Sequence, residues 1–346
     1  MWRTSRVAAV LALLLVVAAL VSVTTGALVV PLPRALGVLF LEPIGLAEVA
    51  ASDTERTVLL TLRAPRAVLA ALVGAALGSC GAGVQALFRN PLADPGLVGV
   101  SAGASLGAAA AIVLGGGALT LLPSWARPAL LPLAAFLGGL ATTVLVLRLG
   151  AGLRGRAATV TVLLAGVAVN ALVGALVGLL SQVADDGQLR DLVFWTMGGL
   201  DGASWALVVA TAPWVILVVL VLPRAGRALD LLALGEHEAG YLGVHVARVR
   251  GLVVAAVAVG VGASVASAGL IGFVGLVVPH LARLAVGSRN HSVIVISALA
   301  GAALLVIADV AARVVARPSE LPVGLFTAAL GAPFFLWLLR REVRAA

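Results

Sequence analysis

Apolar residues fill runs of about twenty positions along this chain, and short breaks rich in proline, glycine and charge divide them. Runs of that length suit helices that cross a hydrocarbon layer of about 30 Å. They predict spans at 7–30, 66–88, 95–115, 128–149, 158–180, 205–223, 250–268, 272–287, 292–312 and 322–340. Ten crossings put both termini on one side. The eighth run, GFVGLVVPHLARLAVG, is short and carries Pro279 and His280, which predicts a broken or partly re-entrant segment buried in protein. The opening run follows Arg3 and Arg6 as in a signal peptide, but it is too long for one and many spans follow. It reads as an uncleaved first helix. The fold class is an all-α polytopic membrane protein, one transmembrane domain over residues 1–346.

Composition agrees with the pattern. The 346 residues are 62% hydrophobic and 11% charged, with a mean hydropathy of +1.17, where a soluble domain carries roughly 25% charged residues. The net charge of +8 comes entirely from arginine, since no lysine occurs. A P-loop needs its lysine on the nucleotide phosphates, so this chain does not hydrolyse ATP in that way. If the chain takes part in ATP-driven transport, another polypeptide supplies the ATPase. The single cysteine, Cys80, excludes an internal disulfide, and four histidines without cysteine pairs give no zinc-ligand spacing. No metal site and no cofactor are expected.

With the N-terminus in the cytoplasm, fifteen arginines fall on the inner side and eight on the outer, in keeping with the positive-inside rule. The outer set includes Arg63, Arg66, Arg313 and Arg317 and is large enough to need a reason. Gly74 and Gly78, and Gly99, Gly103 and Gly107, recur at every fourth position, where small residues let helix backbones approach closely. Two blocks of four helices around the central loop allow an inverted-topology repeat.

The stretch RNPLADPGLVGVSAG, residues 89–103, contains G-x-S-x-G around Ser101, the pattern of a serine-hydrolase nucleophile elbow. That elbow needs a strand–turn–helix setting and an oriented histidine and carboxylate, and Ser101 instead falls inside a predicted membrane helix. An intramembrane serine protease with His280 as base is the remote enzymatic alternative. Two X-Pro pairs, Asn90-Pro91 and Asp94-Pro95, favour a turn. Asp94 is placed as N-cap and Pro95 as the first helical residue, in a tight cytoplasmic connection. Intramembrane acids are nearly absent apart from Asp309, whose spacing from Arg313 suits a structural i,i+4 pair. That scarcity argues against a proton-driven secondary transporter.

The segments Arg63-Ala-Pro-Arg66, Gln85 to Gly96 and Leu97 to Gly103 closely resemble the FecCD family of ABC importer permeases. The likeness continues through Leu163–Ala168, Phe194–Gly198, Leu234-Gly-Glu236 and Gly272–His280, and ends with Asp309–Arg313, Glu320–Gly324 and Leu330–Pro333. The resemblance implies ten membrane helices in the type II importer architecture. It implies a second permease subunit, identical or paralogous, two cytoplasmic ATPase subunits and an extracytoplasmic substrate-binding protein. The implied site is the cytoplasmic membrane and the implied cargo an iron(III)–siderophore, with haem or cobalamin as the alternative.

The polar stretch 223–250 carries Leu231, Leu234, Ala239 and Leu242 at helical spacing, with glycines that can break the helices, making a knob suited to a groove on a partner. The resemblance places ATPase coupling here, on Glu236, Gly240 and Gly243. It places the cytoplasmic gate near Thr159 and Thr161. Phe194, Trp195 and Met197 are read either as interfacial anchors or as a soft wall for a bulky chelate. The resemblance also implies that Arg63, Arg66 and Arg313 dock the binding protein through its acidic residues, with Arg317 able to substitute for Arg313. Arginine suits that role because its fork pairs with carboxylate in two places.

Overall fold

The computed structural model describes residues 2–26, 28–46, 49–121, 123, 126–149, 155–316 and 319–345, without the side chains at 2, 97–98, 117–121, 155–160, 163, 338–339 and 341–345. Every predicted span is met by a helix: α1 (Trp2–Thr24), α4 (Ala64–Phe88), α5 (Val100–Leu121), α6 (Arg127–Leu149), α7 (Gly155–Val183), α9 (Trp205–Val221), α12 (Val246–Ala268), α13 (Val274–Val286), α14 (Asn290–Val315) and α15 (Val323–Ala345). The chain adds short helices that hydropathy alone did not mark, α2 (Leu32–Leu36), α3 (Asp53–Thr57), α8 (Asp186–Met197), α10 (Gly226–Leu232) and α11 (Glu236–Tyr241). Capping explains two of them. Ser52 with Glu55 forms a capping box ahead of α3, and Asp185 with Gln188 does the same ahead of α8. From α3 the helix runs on through a π-helical stretch, Val58–Arg63, into α4, so that 53–88 is one apolar helix of 36 residues.

We call the end of the bundle where α1 begins the proximal end and the opposite one the distal end. Helix α4 is the axis of the fold: 78% of its most apolar stretch is buried, against 17% for α1 and 22% for α6 and α7. Glycine makes that position possible. A Cβ on Gly78 would strike the carbonyl oxygen of Ser297 on α14, and one on Gly74 would strike that of Gly301. Gly301 faces Gly74 reciprocally, so the two backbones touch with no side chain between them. Gly103 and Gly107 of α5 meet α6 in the same way, at the carbonyls of Gly138 and Ala134. Gly99 differs from its expected packing role. Its φ of +84° closes a short 3-10 turn, Pro95–Val98, and its carbonyl accepts a hydrogen bond from Thr142 Oγ1 at 2.8 Å.

The connection between α4 and α5 also departs from expectation. Asp94 does cap Pro95, its carboxylate accepting from the Gly96 amide at 2.7 Å. The turn does not stay at the surface, however. Pro95 packs toward Gly275, the carbonyl of Gly275 meets Gly81 of α4, and Leu77 shares a cavity with Asp94 and Pro95. At about 1.5 Å per residue, Gly81 and Leu77 lie roughly 10 and 16 Å from the proximal end of α4. The segment after Arg89 therefore turns back into the bundle before α5 begins.

A second break, 269–273, precedes the short α13 and meets the first from the other side, which bears out the interrupted eighth run. The two breaks fall at matching places in the two halves of the chain, after the second and the seventh crossings, as an inverted repeat requires. Both non-glycine residues with positive φ among those described, Arg89 at 50° and Phe273 at 66°, stand at these breaks. Gln85 of α4 holds the start of α13 after the second break, its Nε2 donating to the Leu276 carbonyl at 3.1 Å. Irregular backbone at such depth is tolerated only when protein supplies its partners.

A matched pair of alanines tests the packing. Gly78→Ala forces α4 off α14 and should lower the thermal midpoint by the equivalent of about 1–3 kcal/mol, the cost of overpacking. Gly251→Ala, where a Cβ meets nothing within 4 Å, should leave the midpoint level or raise it. Equal effects in detergent melts would show that the backbone contact is not what holds α4.

Candidate functional site

At the distal end one carboxylate organises three helices. Asp309, on α14 and without solvent exposure, contacts Arg66 Nε at 2.9 Å through Oδ1 and Arg313 Nε at 3.1 Å through Oδ2. The second contact is a close ion pair whose angle falls short of a hydrogen bond. It is the i,i+4 pair expected within α14. Arg66 also reaches Glu320 at 2.7 Å, on the link between α14 and α15. Arg66 is 12% exposed and Glu320 49%.

Arg63 and Arg313 are turned to a different task from the one expected. Both are buried. Arg63 donates to the carbonyls of Val23, at 2.9 Å, and Leu28. Arg313 donates to Ser22 Oγ at 2.7 Å and to the carbonyls of Ser22 and Thr25 at 3.3 Å. These are carbonyls at the C-terminal end of α1 and just beyond it, the negative end of the helix, which arginine satisfies in both hydrogen bonding and charge. Gly26 makes room, since a Cβ there would strike the Arg63 guanidinium. Arg63 turns to the end of α1 and Arg66 to Asp309 of α14, so the two guanidinium groups serve different partners. Arg317 lies outside the described residues.

At the proximal end α10 buries Leu229 and Leu232 against the core, while α11 stands out from it. Tyr241 is 91% exposed, and Leu234 and Leu242 are exposed beside it. Glu236 anchors the knob through a 2.6 Å ion pair with Arg250. Gly243 ends α11 with φ +85°, the Val244 amide bonding the Ala239 carbonyl at 2.9 Å and the Gly243 amide the Gly240 carbonyl at 3.0 Å. That pair of bonds is a Schellman stop, so Gly243 answers a backbone need. Gly240, with open space around it, has no such constraint.

Where the two breaks meet lies a cavity of about 400 Å³, lined by Asp94, Ser101, Ser105 and Asn170 among apolar residues that include Leu77, Val261 and Ile271. The Asn170 Oδ1 is buried there without a partner. Ser101 is the second residue of α5, in a helix–break–helix setting that has no strand. Asn170 escaped the sequence reading; its one signal was an amide side chain in the apolar run of α7. Thr161 on α7 is partly buried, and the side chain of Thr159 lies outside the described residues. Phe194 is exposed, Trp195 packs on the core, and the Met197 carbonyl abuts Gly324 at the start of α15.

This fold is that of an ABC transporter permease. It superposes on a solved inward-facing conformation of a metal-chelate type ABC transporter with a TM-score of 0.82 and 30% identity, over 97% of this chain and 99% of the other. The FecCD transport family matches residues 13–341. The chain belongs to that family and is the permease of an ABC importer, a multi-pass membrane protein. It is 41% identical over 307 residues, 88% of each chain, to the vitamin B12 import system permease protein BtuC of Vibrio vulnificus. It is 40% identical over 285 residues, 82% of this chain and 83% of the other, to the hemin transport system permease protein HmuU of Yersinia pestis.

Removing Asp309 while leaving its arginines separates the buried ion cluster from its exposed edge. Asp309→Asn leaves Arg66 and Arg313 facing each other and should destabilise by about 3–5 kcal/mol, the cost of breaking a buried pair. Glu320→Gln should cost at most about 1 kcal/mol. The reverse order of thermal midpoints would remove Asp309 from the centre of the cluster.

Proposed function

We propose that this permease works as one of two permease subunits, carrying a metal chelate inward across the cytoplasmic membrane with its proximal end in the cytoplasm. The family match across residues 13–341 is the observation that carries the reading. The split of fifteen arginines to eight read from the sequence supports the orientation. Two ATPase subunits, one on the α10–α11 knob of each permease, supply the energy, because the chain has no lysine for a P-loop. An extracytoplasmic binding protein docks at the distal end. Of the three arginines named for docking, Arg66 is the one that reaches the surface, beside the exposed Glu320, and Arg63 and Arg313 act from beneath by fixing α1 against α4 and α14. The iron(III)–siderophore reading stands for the cargo. Corrinoid or haem is the second reading, which the names of the two permease relatives favour. The cavity between the breaks and the face of α8 are the places on this chain where such a cargo would pass, with Thr159 and Thr161 at the proximal mouth.

Proteoliposomes holding the permease with its ATPase and binding protein test the reading. ATP should drive accumulation of one of three cargoes offered, ferrichrome, haemin or cyanocobalamin. Gly240→Trp adds bulk to the knob without backbone strain and should abolish stimulation of the ATPase by loaded binding protein, while docking at the other face persists and weakens as salt rises. Full stimulation in Gly240→Trp would remove the knob from coupling. Absence of ATP-dependent uptake for all three cargoes would remove the chelate reading.

A further inference from the structure

A second cavity, of about 480 Å³, opens at the proximal end where α4 stops, α10 passes and α13 turns into α14. Three arginines line it, Arg89, Arg283 and Arg289, with Asp230 the sole acid among the described residues of its walls. Asp230 is already engaged: its Oδ1 accepts from the Asn290 amide at 2.9 Å and from Asn290 Nδ2 at 2.8 Å. Arg283 leans on the same asparagine, donating to its Oδ1 at 3.1 Å. Arg89 and Arg289 are exposed and have no ion-pair partner among the described residues. The positive end of α14, which starts at Asn290, adds to the field.

Neither exposed arginine is where backbone stability would put it. Arg89 is the C′ residue of a Schellman stop, the Asn90 amide bonding the Gln85 carbonyl at 3.1 Å and the Arg89 amide the Ala86 carbonyl at 3.3 Å. Its φ is +50°, where glycine is the usual residue. Arg289 is the N-cap of α14 and makes no side-chain cap bond, where serine, threonine, aspartate or asparagine would. Two backbone positions thus carry arginine against local preference, and both side chains line one cavity.

We propose that this cavity is a socket for carboxylate side chains of the partner ATPase. The inference rests on the importer reading above. Its walls include Asp230 of α10 and Ala233 just after it, next to the exposed α11 knob, so socket and knob form one continuous surface. The socket lies under α4, the most buried span, which directs it away from the lipid-facing helices and toward a partner below the bundle. Three arginines against one occupied aspartate leave two net positive charges, and guanidinium forks pair with carboxylates in two places. The socket joins α4, α10 and the α13–α14 turn, so a carboxylate seated in it grips the axis of the bundle as well as the knob.

Two substitutions that favour the local backbone separate this role from a structural one. Arg89→Gly supplies the residue its conformation prefers, and Arg289→Ser supplies a helix cap. The double variant should therefore melt no lower than wild type as the isolated permease. In nanodiscs, the ATPase that copurifies with the wild-type chain should bind the double variant about tenfold or more weakly, with a flatter salt dependence. Arg89→Lys with Arg289→Lys, which keeps the charge, should recover part of the loss. Wild-type affinity in the double variant would overturn the proposal. So would a loss seen only in nanodiscs containing phosphatidylglycerol and absent in pure phosphatidylcholine, which would make a lipid phosphate the ligand. If the wild-type chain retains no ATPase at all, the importer reading fails instead.

Discussion

The structure depends on one constraint: inside a hydrocarbon layer every backbone amide and carbonyl must find its partner within the protein. Two stretches of this chain leave the α-helix at depth, 93–99 and 269–273, and both are accommodated because α4 stands at the centre with a face of glycines. Gly74 and Gly78 let α14 close against one side of α4, and Gly81 lets the start of α13 close against another. With the backbones in contact, the side chains of Gln85 and Thr142 reach the carbonyls of Leu276 and Gly99, at the starts of α13 and α5. Remove the glycine face and the breaks lose their shelter, and with it go the cavity between them and the short reach of α13.

The absence of lysine gives the electrostatics a single instrument. At the distal end arginine works as a structural donor: Arg63 and Arg313 satisfy the open carbonyls at the end of α1, and Asp309 balances the charge brought into the interior. Lysine, a point charge on a flexible stem, would serve poorly where several carbonyls must be met at once. At the proximal end the same residue is left exposed around a cavity. The contrast between arginines consumed by the fold and arginines held out from it distinguishes scaffold from contact surface more clearly than burial alone.

Much of this was legible in the sequence. Ten apolar runs, the eighth of them short, became ten helices, because length and hydropathy are local properties. The small residues at 74, 78, 103 and 107 sit at helix contacts for the reason their spacing suggests. The break before α5 was misread because Pro91, Asp94 and Pro95 make a good turn whether that turn lies at the surface or in the interior, and only Gly81 and Gly275 across the fold decide its depth. The partners of Arg63 and Arg313 are also long-range: no spacing rule links them to Ser22 and Val23, although the polar run at 22–26 ending the first span was a signal that its carbonyls needed donors. Gly99 and Gly243 matched packing and coupling patterns yet answer first to positive φ. Asn170 gave only a lone amide in an apolar run.

The central claim is that the connection after α4 turns inward and is sheltered at depth against α4 and α13. Thiol accessibility in intact membranes reads this directly. In a Cys80→Ala background, single cysteines replace Ala93 in the first break, Val274 at the end of the second, and exposed Ser288 at the proximal end. A membrane-impermeant maleimide offered to the proximal side should label the cysteine at 288 and leave those at 93 and 274 unreacted until the protein is unfolded. Labelling at 93 as fast as at 288 would mean that the connection lies at the surface, and the account of the core would be wrong.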